Sequence, residues 1–269
     1  MLAGHADSLS RGLRLLAALV LIGAATRCGS ATTADDAIAA DQAVARRPAG
    51  VAGGLSQDAL VPAMERALAT QTSVGVELSG EEPAHRLGLS GVVEMQDGSV
   101  TGADVSGYLS NEGWLHVVLL DRQLYFTNDK DAETFVRFRI EDGDAAEGID
   151  AAMAMIDMAS PQSVVTLLDE GMEHLAYQGS EMEQGVALDH YYVTLDMAVI
   201  AERHELTDID NLPETMGYDL WLEPDHLIRH VRYEVNATGF SFEQSMDGWG
   251  RQPAVTAPPS TPGEESTLI

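Results

Sequence analysis

Gly148–Gly171 reads GIDAAMAMIDMASPQSVVTLLDEG, and the fold turns on where this stretch hides its apolar side chains. Gly148–Ala159 is methionine-rich and helical in its spacing. Ser160-Pro161 then supplies an N-cap with proline at the first helical position. A second helix follows over Gln162–Glu170 and stops at Gly171. On both sides of this pair the hydrophobic period is two, the period of strands.

Upstream, Val74, Val76 and Leu78 alternate with Ser73, Gly75 and Glu77 after a short helix over Gln57–Thr70. Strands follow at His85–Gln96, Val100–Leu109, Trp114–Leu120, Leu124–Thr127 and Phe135–Ile140. Asp97-Gly98 is a strong two-residue hairpin signal, and Asn111-Glu112-Gly113 and Asp121-Arg122-Gln123 mark further turns. In Phe135–Ile140, Phe135, Arg137 and Arg139 share one face, while Val136, Phe138 and Ile140 share the other. Downstream come strands His174–Gln178 and Ala187–Leu195, then a short helix at Met197–His204. The hairpin Tyr218–Val235 turns at Glu223-Pro224-Asp225-His226, and a last strand covers Gly239–Met246.

The class is α+β: a curled, mostly antiparallel sheet, a half-barrel, wrapping two or more helices on its concave face. A long twisted sheet curls, and helices inserted midway have its concave side in which to bury their apolar faces. The expected organisation is a signal over 1–27, a tether over 28–56, one domain over 57–252 and a disordered tail over 253–269.

The N-terminus carries the other informative pattern. Arg11 and Arg14 precede the apolar run Leu15–Ala25, which is too short to span a bilayer as a helix. Cys28, the single cysteine, follows directly. This resembles a bacterial lipoprotein signal, in which the cysteine becomes the acylated first residue of the mature chain. Such a residue anchors a domain without a transmembrane helix. Here Ala25-Thr26-Arg27 stand where Leu and two small residues are usual. A plain secretory signal, cleaved after Ala25 or Ala31, is the other reading.

Charge narrows the function. The chain has 269 residues, with 15 Lys+Arg against 43 Asp+Glu and a net charge of −28. Beyond residue 27 the balance is 12 against 42, or −30. Such a chain repels phosphate backbones, which disfavours nucleic acid, and does not dock electrostatically on an anionic bilayer. One cysteine excludes an intramolecular disulfide and any Cys-rich metal site.

Several segments together resemble the LppX/LprAFG family of actinobacterial envelope lipoproteins, whose fold is similar to the LolA-type lipoprotein carriers. They are LYFTNDK (124–130) leading to FVRF (135–138), SPQSVVTLLDEG (160–171) and GVALDHYYVTLDMAVIAE (185–202). YDLWLEPDHLIRHVRYEV (218–235), and Asp247-Gly248-Trp249-Gly250 running into VTAPP (255–259), complete the likeness. The resemblance implies an open half-barrel with an apolar cavity between sheet and helices that holds acyl chains, palmitate-like, of envelope lipids or lipoglycans. It implies a monomeric, non-enzymatic lipid binder or transporter at the outer face of the plasma membrane. No cofactor is expected beyond a covalent diacylglycerol or N-acyl lipid at Cys28 and a non-covalent lipid ligand.

Ile149, Met153, Ile156, Val164, Leu167 and Leu168 are the candidate cavity residues. Methionine adapts to irregular apolar shapes, so the first helix suits flexible chains; an ordinary helix packed on a sheet explains the same stripe. An envelope sensor or adaptor with a filled core is the alternative function. No catalytic motif is present: there is no Gly-x-Ser-x-Gly elbow and no phosphate loop. His226 and His230 lie four apart in a strand pattern, and His204-Glu205 lacks a zinc-helix partner, so no metal site is expected. Glu141–Asp144 and Asp208–Asp210 read as solvated loops. Trp114, Trp221 and Trp249 read as core or sheet-edge packing.

Overall fold

The computed structural model describes residues 53–81, 86–109, 113–140, 147–204, 213–235 and 240–262. Residues 1–52, with the signal, most of the tether and Cys28, lie outside them. So do the two acidic loops.

The first helix, α1 (Gln57–Leu68), leads into a six-strand meander. Its strands are β1 (Ser73–Glu81), β2 (Arg86–Gln96), β3 (Ser99–Leu109), β4 (Gly113–Leu120), β5 (Gln123–Thr127) and β6 (Phe135–Arg139). Asp97 and Gly98 both have positive φ, +52° and +78°, the mirror-image turn that suits strand twist. Asp121 and Arg122 make the same turn without glycine, at +52° and +61°. Helices α2 (Glu147–Ala159) and α3 (Pro161–Gly171) follow, then β7 (Met172–Glu183), β8 (Val186–Asp196) and α4 (Met197–Arg203). The chain ends through β9 (Thr215–Leu222), β10 (Ile228–Val235), β11 (Phe240–Asp247) and β12 (Ser260–Pro262).

All twelve strands form one sheet in the order β12-β6-β5-β4-β3-β2-β1-β11-β10-β9-β8-β7. The join is β1 against β11, two strands from opposite ends of the described chain. Neighbours are antiparallel except β12 on β6, and the curled sheet does not close, because β7 and β12 remain as edges. β7 is longer than the expected His174–Gln178. Two irregularities in its pairing with β8, one at Tyr177/Gly179, let it continue to a turn at Gln184-Gly185.

One face of the sheet carries the helices. Val74, Val76 and Leu78 of β1, Val93 of β2, Val105 of β3 and Val117 of β4 point there and form a continuous core with Met155, Ile156 and Leu168. Helix α2 lies across β1–β4, whereas α3 packs on α1, α4, β7 and β8. A helix apolar on nearly every side needs to be enclosed, and α2 is buried at Ala152, Ala154, Met155, Ile156, Met158 and Ala159. Gly171 lets α3 approach α4, since a Cβ there would lie 2.5 Å from Ile200 Cδ1.

The expected disordered tail is corrected over its first ten residues. Pro253–Pro262 form a strap over the opposite, outer face of the sheet. Val255 is buried there against Val118, Tyr125 and Phe135. Its N–H donates to Glu94 Oε1 at 2.9 Å, and Phe135 N–H donates to Pro259 O at 2.9 Å. Prolines have no N–H to leave unsatisfied, so a few anchors suffice to hold an extended strap. Residues 263–269 lie outside the described ones.

Candidate functional site

The helix-bearing face is covered unevenly. Strand pairing aligns Val105, Val117 and Phe126, then Val136, on that face. Val105 and Val117 are wholly buried under α2. Farther out, Leu119, Phe126, Val136, Phe138 and Ile140 are only half-buried. Met153 of α2 is half-buried as well, and Leu119, Phe126, Phe138, Ile140 and Met153 each pack against the core. Helix α2 makes its main sheet contacts with β1–β4, so the half-buried Phe126, Val136, Phe138 and Ile140 form an apolar strip beyond them.

The predicted cavity residues divide across this geometry. Ile156, Val164, Leu167 and Leu168 are 2%, 5%, 5% and 0% exposed and belong to the packed core. Met153 is half-buried and packs against the core. Ile149 lies within α2, but its side chain is outside the described ones. Phe126 and Phe138 were not among the predicted lining residues. The alternation of Val136, Phe138 and Ile140 against two arginines was their signal, yet periodicity does not say which inward positions a helix leaves uncovered.

Local interactions fix the helical pair α2 and α3. Ser160 caps α3, its Oγ accepting from the Gln162 N–H at 3.2 Å. Buried Gln244, projecting from β11, donates through Nε2 to Met158 O at 3.1 Å, supplying a carbonyl at the α2 terminus with a donor. Asp157 departs from this pattern. Burial pushes its carboxyl up from 3.8 to about 7, and Oδ2 has no hydrogen-bond partner. Ser163 Oγ, one turn into α3, is likewise buried and unpartnered. Neither group was singled out from the sequence.

The outer face is polar and aromatic. His190 stacks on Trp221 with centroids 4.3 Å apart, and its Nε2 lies 2.8 Å from Asp219 Oδ1. Trp221 Nε1 donates to Glu181, and His230 Nε2 sits 2.8 Å from both Glu183 oxygens. His226 lies in the β9–β10 turn at φ +69°, apart from His230 in the strand. Trp114 lies edge-on to His116, whereas Trp249 is buried and donates to Ile228 O at 3.2 Å. His204 is buried at the end of α4, its Nε2 2.6 Å from Glu170 Oε2. Among the described residues no group of three or more His, Cys, Asp or Glu could hold a metal ion. Among them, no helix is long and apolar enough to cross a membrane.

An unclosed, mostly antiparallel sheet wrapping helices on one face defines the class: an α+β half-barrel. Among solved structures, LprF from Mycobacterium bovis shares this fold, with a TM-score of 0.52 and 13% identity over 77% of this chain and 100% of LprF. The lipoprotein LppX from Mycobacterium tuberculosis is similar at TM-score 0.49 and 12% identity, covering 75% of this chain and 100% of LppX. A LolA superfamily protein from Nitrosomonas europaea gives 0.27 and 8%, covering 75% of this chain and 96% of that one. No family model and no curated protein matches the chain.

Proposed function

We propose that this chain is an exported, lipid-anchored envelope protein that binds or carries acyl-chain lipids. The observation that carries the proposal is the apolar strip of half-buried Phe126, Phe138 and Ile140 on the helix-bearing face, beyond the strands that α2 contacts most. The work is done by shape and apolar area. About ten methylenes buried there would gain about 8 kcal/mol, which corresponds to micromolar binding before ordering costs. The likeness in fold to the lipoprotein LppX, and the position of Cys28 behind an apolar run, support an anchored carrier. Cys28 is the proposed acylation site and the plasma membrane the proposed partner.

The packed state of Ile156, Val164, Leu167 and Leu168 favours a filled interior beneath α2 and α3, as the sensor or adaptor alternative requires. The acyl chain is therefore assigned to the apolar strip on β5–β6. A photoactivatable palmitate analogue, cross-linked and mapped by mass spectrometry, tests the assignment. Labels are expected on β5–β6. Labelling confined to the outer face, or none at all, would count against it.

A further inference from the structure

We infer that the C-terminal strap is a lipid-coupled clasp: β12 forms the outer margin of the acyl-chain strip, and strap and lipid hold each other in place through β6. The inference deepens the acyl-chain reading above and rests on it.

Strand β6 serves two surfaces with alternate residues. Phe135 faces outward, packs with Val118, Tyr125 and the strap's Val255, and is 7% exposed. Val136 and Phe138 face the other way and belong to the strip. Successive residues of a strand share one backbone and point to opposite faces, so displacing Phe135 displaces Val136.

Strand pairing carries the strip onto the strap itself. Phe126 of β5 pairs with Val136, and Val136 pairs with Thr261 of β12. Paired residues lie on the same side of a sheet, so Thr261 stands on the helix-bearing side, last in the row Phe126-Val136-Thr261. It is exposed, and brings a methyl group and a hydroxyl to the margin of an apolar surface.

The strap is pinned at its root and lightly held beyond it. Gly250 N–H donates to Ser73 O at 2.7 Å, and Gln252 N–H donates to Ser73 Oγ at 3.2 Å. Past Gln252, the anchors among the described residues are few. They are the Val255 side chain, its N–H on Glu94, the Phe135 N–H on Pro259 O and the three β12 pairings. Thr256, Ala257, Pro259 and Thr261 are exposed. A segment with few buried contacts opens locally at low cost, and its order is what a bound ligand shifts.

Without the strap, β6 is a five-residue edge strand paired with β5 alone. The strip then loses its margin and its fixed backbone together. Linkage makes the effect reciprocal: the factor by which the strap raises lipid affinity is the factor by which lipid favours the closed strap.

Hydrogen exchange read by mass spectrometry on the full chain, with and without saturating 1-monopalmitoylglycerol, tests the clasp. Affinity for the same lipid is measured for wild type, Val255→Asp and Thr261→Glu, with folding checked by circular dichroism. Bound lipid is expected to slow exchange in residues 253–262 and 135–139 about tenfold, an ordinary size for coupling between sites. The β7–β8 turn at 184–187, on the opposite edge of the sheet, should keep its rate. Val255→Asp, on the face away from the strip, should weaken lipid binding by the same factor, and Thr261→Glu should weaken it as well. Strap exchange unchanged by lipid, equal slowing at 184–187, or wild-type affinity in either variant overturns the clasp and leaves the acyl-chain site standing. Should Val255→Asp unfold, exchange in wild type decides alone. If the lipid does not bind wild type, the acyl-chain reading falls and the clasp with it.

Discussion

Asp157 sets the sign of one pH dependence. Its carboxyl sits at about 7 in the folded chain against 3.8 as its ordinary value. The folded state therefore holds the proton more tightly, so stability is full below pH 4 and is lost as pH rises toward 7. The loss is at most about 4 kcal/mol. Denaturant titrations at pH 4.5 and 7.5 should show it in wild type, and Asp157→Asn should lack this component. A wild-type difference that persists unchanged in the variant would assign it to other carboxyls. Ser160→Ala should cost about 1 kcal/mol in the same assay, because it removes the α3 cap. Ser160 was legible from sequence since a cap is a local device followed at once by proline. Asp157 was not, because helical spacing places it on a stripe without revealing that nothing answers its Oδ2.

The C-terminal strap is the element that composition misread. Proline, serine and threonine suggested disorder, yet Val255 inserts between Val118, Tyr125 and Phe135, and β12 adds a parallel strand to β6. Elsewhere the outer face is polar and aromatic, with Trp221 stacked on His190, whereas this cluster is apolar. Deleting residues 253–269 should therefore expose it, lower the melting temperature and raise binding of a hydrophobic dye. Val255→Ala should cost about 1–2 kcal/mol by thermal or denaturant unfolding. Deletion without either change would make the strap a passenger. The hairpins, in contrast, were legible because Asp97-Gly98 fixes its turn within two residues. The strap depends on Glu94 and Phe135, far away in sequence, and no local pattern announces such a contact.

At the scale of the whole molecule, the sequence yielded the α+β class, the strand meander and the central helices, all of which follow from period and turn chemistry. It could not yield the closure of β1 on β11, a pairing between chain ends, nor the place where α2 stops covering the sheet. Beyond it, β5 and β6 carry the half-buried apolar strip. The anchor is a separate matter, and Cys28→Ala should move the protein from the membrane fraction to the soluble one. Retention of the variant in the membrane would assign the attachment to another part of the chain. The acidic body is compatible with such tethering, since a covalent lipid holds it irrespective of surface charge. The most direct test of the central claim is native mass spectrometry of the protein with 1-monopalmitoylglycerol, comparing wild type with Phe138→Glu. The account predicts one-to-one adducts on wild type and their loss in the variant at unchanged secondary structure. Absence of adducts on wild type, or adducts undiminished by the charge, would contradict it.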